Sequence, residues 1–181
     1  MINYDIEYYY NLLRIHSATA KDISKVRWDF LGNILDHNIP TTILDYGCGI
    51  GFFEAFRPKG VPIQLFTYDI MPVPQTGIPE DTEFDVITLW DVLEHIPDFT
   101  SLAPLLAKTR FVALSLPIKP DGKRWEQWKH FKPGEHLHYY SEDLLVALFE
   151  KYDFKLVDSG TPECPPREDV WSFIFAKKDI A

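Results

Sequence analysis

Asp45 stands just ahead of three glycines at alternate positions, Gly47, Gly49 and Gly51, with Cys48 between the first two. Glycine lets a backbone come close to a ligand and adopt conformations that other residues avoid. A dinucleotide-binding loop spaces its glycines G-x-G-x-x-G, and the helix that follows receives a pyrophosphate. Here the last interval is one residue shorter, and a carboxylate at this position would repel pyrophosphate while suiting a positively charged group. Asp69 ends the next apolar run, where a carboxylate in such folds accepts hydrogen bonds from ribose hydroxyls. The two acids together point to a nucleoside that carries positive charge.

These residues need strands and turns to hold them. "TTILDYG" reads as a short strand closing on the glycines, and "GFFEAFR" as a short helix stopped before Pro58. Further strands are expected at "PIQLFTYD", "EFDVITLWD" and "RFVALSLP"; the last two are nearly all apolar in the middle, as strands buried on both faces are. "DFTSLAPLLAK" reads as a helix capped at Asp98, Thr100 or Ser101, with Pro104 in its first turn. "SEDLLVALFEKYD" is a helix with Ser141 as N-cap and Leu144, Leu148 and Tyr152 on one stripe. "FKLVDSG" and "DVWSFIFAKK" then form a final pair of strands, joined by a proline-bearing loop. Residues 1–37 carry two helical patterns, Ile6, Tyr9, Tyr10 and Leu13, then Ile23, Val26, Phe30 and Ile34. Alternating strands and helices predict an α/β, Rossmann-like, mostly parallel sheet with an antiparallel C-terminal strand.

Whole-chain properties bound the function. At 181 residues the chain fits a single domain. With 18 basic and 27 acidic residues it carries a formal charge of −9, which disfavours nucleic acid as a partner. Two cysteines cannot build a disulfide framework, and Asp5 and Glu7 stand where a signal peptide would be basic. No apolar run approaches bilayer length, so the expectation is a cytoplasmic protein without membrane partners.

The loop "LDYGCGIG" resembles motif I of class I S-adenosylmethionine-dependent methyltransferases, and "YDI" resembles their ribose-binding motif. "FDVITLWDVLEHIPD" and "GEHLHYYSEDLLVALFEKYDFKLVDSG" are similar to the branch that includes the ubiquinone-biosynthesis O-methyltransferases. The likeness covers about residues 41–178 and implies S-adenosyl-L-methionine as cofactor. It places Asp45, Gly47, Cys48, Gly49, Gly51, Asp69, Ile70 and Met71 against that cofactor, with Trp90 and Asp91 near its methionine end. One departure is plain: a usual member has a helix and a strand where this chain has only residues 70–83. The sheet is therefore expected to lack an edge strand, along with the acid that often holds the adenine amino group.

Methyl transfer from a sulfonium is an in-line displacement, so positioning and exclusion of water are the main tasks. A hydroxyl acceptor also needs a base, and histidine, with an ordinary pKa of roughly 6.5, suits that at cellular pH. The resemblance singles out His95, His136 and His138. Asp91, Glu94 and His95 also resemble the acid-x-x-Glu-His of small-RNA 3′-end 2′-O-methyltransferases, which hold a divalent ion with a further histidine; His136 is the candidate for that one. The metal-free reading is preferred, because "EH" also occurs in metal-free members. Residues 118–140 form a 23-residue connection, and loops beyond about 15 residues are usually functional. Its Trp125, Trp128, Tyr139 and Tyr140, beside five basic residues, are the expected contacts for a small polar acceptor.

Overall fold

The computed structural model describes residues 7, 11, 14, 18–35, 39, 41–71 and 73–179. The first helical pattern, Ile6 to Leu13, lies outside them at all four positions. The chain forms two compact units, residues 3–88 and residues 89–181.

In the first unit, helix α1 (Ala20–Leu31) precedes strand β1 (Thr41–Tyr46), a one-turn helix α2 (Phe52–Ala55), and strand β2 (Ile63–Tyr68). Strand β3 (Phe84–Trp90) begins here and runs into the second unit. β1 pairs in parallel with β2, Ile43 opposite Leu65, and with β3, Ile43 opposite Val86. α1 buries Ala20, Ser24 and Trp28, so its inner face lies one step away from the Ile23 and Val26 stripe expected from hydropathy. The reason is Trp28, which stacks on Phe53 at 4.1 Å and donates its indole N–H to the Phe53 carbonyl at 2.9 Å. A large ring with a satisfied polar tip outcompetes smaller apolar side chains for the interior.

Residues 70–83 hold neither helix nor strand among those described, as the short connection predicts. Instead the segment turns back along the edge of β2. Thr67 N–H donates to the Thr76 hydroxyl at 2.8 Å and Thr76 N–H to the Thr67 hydroxyl at 3.0 Å. Asp69 N–H donates to the Gln75 side-chain oxygen at 2.7 Å, and Gln75 Nε2 returns a bond to the Asp69 carbonyl at 3.1 Å. Side chains thus satisfy backbone groups that an edge strand would expose.

The second unit contains helix α3 (Ala103–Ala107), strand β4 (Thr109–Pro117), helix α4 (Glu142–Glu150), and strands β5 (Phe154–Gly160) and β6 (Val170–Lys177). β6 runs antiparallel to both β4 and β5. The sheet is mixed and six-stranded, in the order β2-β1-β3-β4-β6-β5. Of the three caps open at Asp98, Thr100 and Ser101, Asp98 is the one used, its carboxylate accepting the Thr100 N–H at 2.9 Å. Ser141 caps α4 as expected, but the buried stripe is Leu145 and Phe149, with Leu144 58% exposed. Phe149 stacks on Phe175 of β6 at 4.2 Å, which fixes the helix rotation. No helix among the described residues is long and apolar enough to cross a membrane.

Candidate functional site

The glycine loop is anchored through its own N–H groups. Gly47 and Cys48 both donate to the Tyr68 carbonyl, at 2.7 and 3.0 Å, and Gly49 donates to Asp69 Oδ2 at 2.7 Å. Gly49 and Gly51 have φ of +53° and +77°, and a Cβ at either would meet nothing within 4 Å. The left-handed backbone, rather than crowding by neighbouring atoms, selects glycine there, and the space above the loop is open.

Asp69 does more than end its strand. Besides the bond from Gly49, its Oδ1 accepts the Met71 N–H at 2.8 Å, so one carboxylate organises both the glycine loop and the chain leaving β2. Each oxygen keeps a second lone pair for a hydroxyl donor. Of the two residues that follow, Met71 is 4% exposed and Ile70 is 79% exposed. Ile70 is therefore the apolar side chain available to a ligand.

Asp45 is 2% exposed. Thr88 donates its hydroxyl to Oδ1 at 2.7 Å, whereas the buried Oδ2 accepts no hydrogen bond among the described residues. Burial pushes the carboxyl up from the ordinary 3.8 to about 6; Asp69 and Glu54 add to this, while the Thr88 bond and Arg27 oppose it. A desolvated carboxylate with an unused oxygen suits a cationic ligand group. The neighbouring Cys48 thiol is driven to about 12, first by burial and then by Asp45 and Asp69, so it lines the loop as a neutral group.

The second unit holds the remaining candidates. Trp90 is buried in β3, and Asp91 follows it with φ of 58°. Both Asp91 carboxylate oxygens are engaged by Arg167, Nη1 at 2.8 Å and Nη2 at 2.6 Å. A one-turn 3-10 helix, Leu93–His95, comes next. The Glu94 carbonyl accepts the N–H groups of Leu137 at 2.8 Å and His138 at 3.2 Å, and His95 Nδ1 lies 2.9 Å from the Glu135 carbonyl. A carbonyl only accepts, so Nδ1 carries the proton and Nε2 of neutral His95 carries the lone pair.

His95 and His136 meet edge to face, with ring centroids 5.0 Å apart. Burial, then the neighbouring His95 and Lys132, push His136 down to about 4, so it is neutral at physiological pH. Tyr140 is pushed up to about 12 by burial and by Glu94. Glu94, His95 and His136 offer ligand atoms within 4.8 Å of one another. His138 stands apart from this group: it is exposed, and its Nε2 meets the Pro97 carbonyl at 3.3 Å.

Residues 118–140 fold into an aromatic cap. Trp125 lies 5.9 Å from Trp128, 5.5 Å from Phe131 and 5.1 Å from Tyr139, ring centre to ring centre. Trp128 is buried and Trp125 is 41% exposed. The basic excess read from the sequence is largely internal: Lys123 pairs with Asp169 at 3.1 Å, Lys129 with Glu168 at 3.6 Å and Lys132 with Glu135 at 3.1 Å. Lys119 lies over the Trp125 ring.

Several structural partners escaped the sequence reading. Arg167, Glu163, Glu168 and Asp169 lie in "TPECPPRED", which reads only as a proline-bearing loop. Asp169 accepts from the Trp128 indole at 3.1 Å and from Lys123, and its carbonyl accepts the Ile118 N–H at 2.8 Å. The only local hint was the density of charge between the prolines and β6.

A family model described as a methyltransferase domain matches residues 16–159. A ubiquinone biosynthesis O-methyltransferase of Neisseria meningitidis serogroup A is 25% identical over 167 residues, which cover 79% of this chain and 63% of that protein. Its serogroup C counterpart is 24% identical, covering 90% and 69%. The chain thus spans less than two thirds of the length of the first of these relatives. Among solved structures, the 1,6-didemethyltoxoflavin-N1-methyltransferase of Burkholderia thailandensis, with bound 1,6-didemethyltoxoflavin and S-adenosylhomocysteine, superposes with a TM-score of 0.65 at 17% identity, covering 96% of this chain and 85% of that one. The magnesium protoporphyrin IX methyltransferase of Synechocystis, with bound S-adenosylhomocysteine, gives 0.58 at 15% identity, covering 87% and 83%. At these identities the two structures share the fold.

Proposed function

The chain belongs to the methyltransferase domain family, and from that premise we propose that it transfers a methyl group from S-adenosylmethionine to a hydroxyl of a small polar acceptor. The observation that carries this reading is Asp45, a buried carboxylate with an unused oxygen beside an open glycine loop. Asp45 Oδ2 would hold the cofactor's ammonium, Asp69 its ribose hydroxyls, and Ile70 with Met71 the adenine face. The loop backbone of Gly47, Cys48, Gly49 and Gly51 gives it close approach, and Trp90 with the Asp91 backbone falls to the methionine end. Bound cofactor supplies an electrophilic methyl carbon on a sulfonium. The acceptor must lose a proton as its oxygen attacks, and His95 Nε2 is the lone pair held ready for it, because the Glu135 carbonyl fixes the tautomer. His136 keeps that imidazole company as a neutral wall, and Trp125, Trp128, Tyr139 and Tyr140 supply ring surface to the acceptor. Two O-methyltransferases among the relatives support oxygen as the target, and the formal charge of −9 supports a small molecule over RNA.

A second reading adds a divalent ion at Glu94, His95 and His136. Two imidazoles and a carboxylate suit zinc or a similar ion, and the orientation of His95 by a backbone carbonyl matches what metal-bound histidines require. Asp91, the fourth ligand suggested by sequence, is engaged by Arg167 instead. Turnover lost to a chelator and restored by one metal favours this version; turnover indifferent to chelation removes it.

Thermal shift with S-adenosylhomocysteine against NAD tests the cofactor assignment. Stabilisation by the former alone is expected, and stabilisation by NAD alone overturns the proposal. Transfer of labelled methyl to a panel of hydroxyl compounds then excludes a role in binding without catalysis. His95→Ala should lower turnover about 100-fold or more while S-adenosylhomocysteine affinity stays near wild type, with His138→Ala much milder.

A further inference from the structure

Residue 91 combines three constraints. Its φ of 58° is left-handed, a region that residues with a side chain rarely enter, aspartate and asparagine less rarely than most. Its N–H donates to the Ser115 carbonyl at 2.8 Å, so the backbone is bonded where β3 ends. Its carboxylate receives a bidentate guanidinium, the most directional ion pair available to a protein. Arg167 is in turn fixed by Glu163 Oε2 at 2.5 Å, from a carboxylate whose side chain is 0% exposed. Nothing on this loop can slide without breaking one of these bonds.

What residue 91 controls is the direction of the chain beyond it. Val92 leads directly into the turn Leu93–His95, whose Glu94 carbonyl and His95 ring make the three bonds to segment 135–138. A switch of residue 91 to an ordinary right-handed or extended backbone would re-aim that turn and pull His95 from the Glu135 carbonyl.

We propose that Arg167 is a positioning residue that acts through Asp91: the bidentate pair holds residue 91 left-handed and so aims the turn that carries His95. The Asp91 carboxylate serves the protein rather than a ligand. The inference rests on the function proposed above in one respect, that His95 is the group the turn must place.

A substitution series at residue 91 separates conformation from charge. Glycine accepts the left-handed backbone without a carboxylate, asparagine accepts it while keeping one bond to Arg167, and alanine resists it. Turnover in Asp91→Gly and Asp91→Asn should exceed that in Asp91→Ala at least tenfold, with S-adenosylhomocysteine affinity nearly equal across the three. Equal and large losses of that affinity in all three variants would mean the carboxylate holds the ligand's ammonium, and would overturn the proposal. Arg167→Lys, which offers one charged donor for the bidentate pair, should fall between wild type and Arg167→Ala in turnover. A melting temperature lowered in Arg167→Ala with turnover unchanged would leave Arg167 a stability element only. Amide exchange at residues 92–96 and 135–138, read without cofactor, should be faster in Asp91→Ala than in Asp91→Gly by at least threefold. The same rate in both sinks the proposal even if the wild type binds no S-adenosylhomocysteine, an outcome that would sink the methyltransferase reading by itself.

Discussion

Strands β1 and β3 end alike in sequence: an apolar run, then an acid at Asp45 and Asp91. Their surroundings separate them. Asp45 meets only a hydroxyl at Oδ1, keeps a buried Oδ2 without a hydrogen bond among the described residues, and has its pKa driven up to about 6. Asp91 meets a guanidinium at both oxygens. A buried anion that lacks a full partner set destabilises the empty protein and binds cations well; one saturated by arginine does neither. Position at a strand end therefore marks where ligands are met, while partner saturation marks which acid can meet one.

The largest effects should come from Asp45. Asp45→Asn should weaken S-adenosylhomocysteine about 10- to 100-fold, the range for losing a charged hydrogen bond, measured by calorimetry. Wild-type affinity should also fall about tenfold per pH unit below about 6 as the carboxyl protonates, and the variant should lack that slope. The sign for stability is opposite. Because the folded-state pKa is raised, the penalty is absent below the ordinary 3.8 and complete above about 6, about 3 kcal/mol in size. The stability of Asp45→Asn relative to wild type should therefore drop by about that much between pH 7.5 and pH 4, read from denaturant midpoints. A pH-independent difference would return Asp45 to the ordinary class of carboxylates.

Asp169 tests the saturated type again, at the aromatic cap. Its φ of 65° is tolerated by glycine, so Asp169→Gly removes the bonds to Trp128 and Lys123 without backbone strain. A loss of about 1–3 kcal/mol is expected, with red-shifted tryptophan emission and a raised KM for the acceptor. Cofactor affinity should change less than twofold; a larger change would give the cap a cofactor role. The smallest effect belongs to the edge of β2. Thr76→Val leaves the Thr67 N–H without its acceptor and should cost about 1 kcal/mol, whereas Gln75→Ala also slackens Asp69 and should add a severalfold loss of cofactor affinity. Equal behaviour of the two would detach the strap from the ribose-binding acid.

Much of the fold was legible because its signals are local. The glycine loop, the strand ends and the Ser141 cap depend on residues within a few positions of one another, and they fall where the pattern placed them. The faces of α1 and α4 were misread, since Trp28 on Phe53 and Phe149 on Phe175 decide rotation through partners distant in sequence. At the site, histidine identity was readable and histidine state was not. His95 and His138 look equivalent as letters, but one has a fixed tautomer beside His136 and the other is exposed. The lysines of the cap likewise read as an anion-attracting excess until Asp169, Glu168 and Glu135 are seen against them.

The amino-acid sequence by itself determined the α/β plan, the glycine loop with its two acids, and the absence of an edge element in residues 70–83. Hydrophobic period, capping chemistry and the special backbone of glycine act over a few residues, so they are written in order along the chain. Tertiary structure alone decided which acid keeps an oxygen for a ligand, which histidine keeps its lone pair, and how β2 is closed by Gln75 and Thr76. Those outcomes depend on burial and on partners such as Arg167 for Asp91 and Thr88 for Asp45, and only the folded chain brings such partners together.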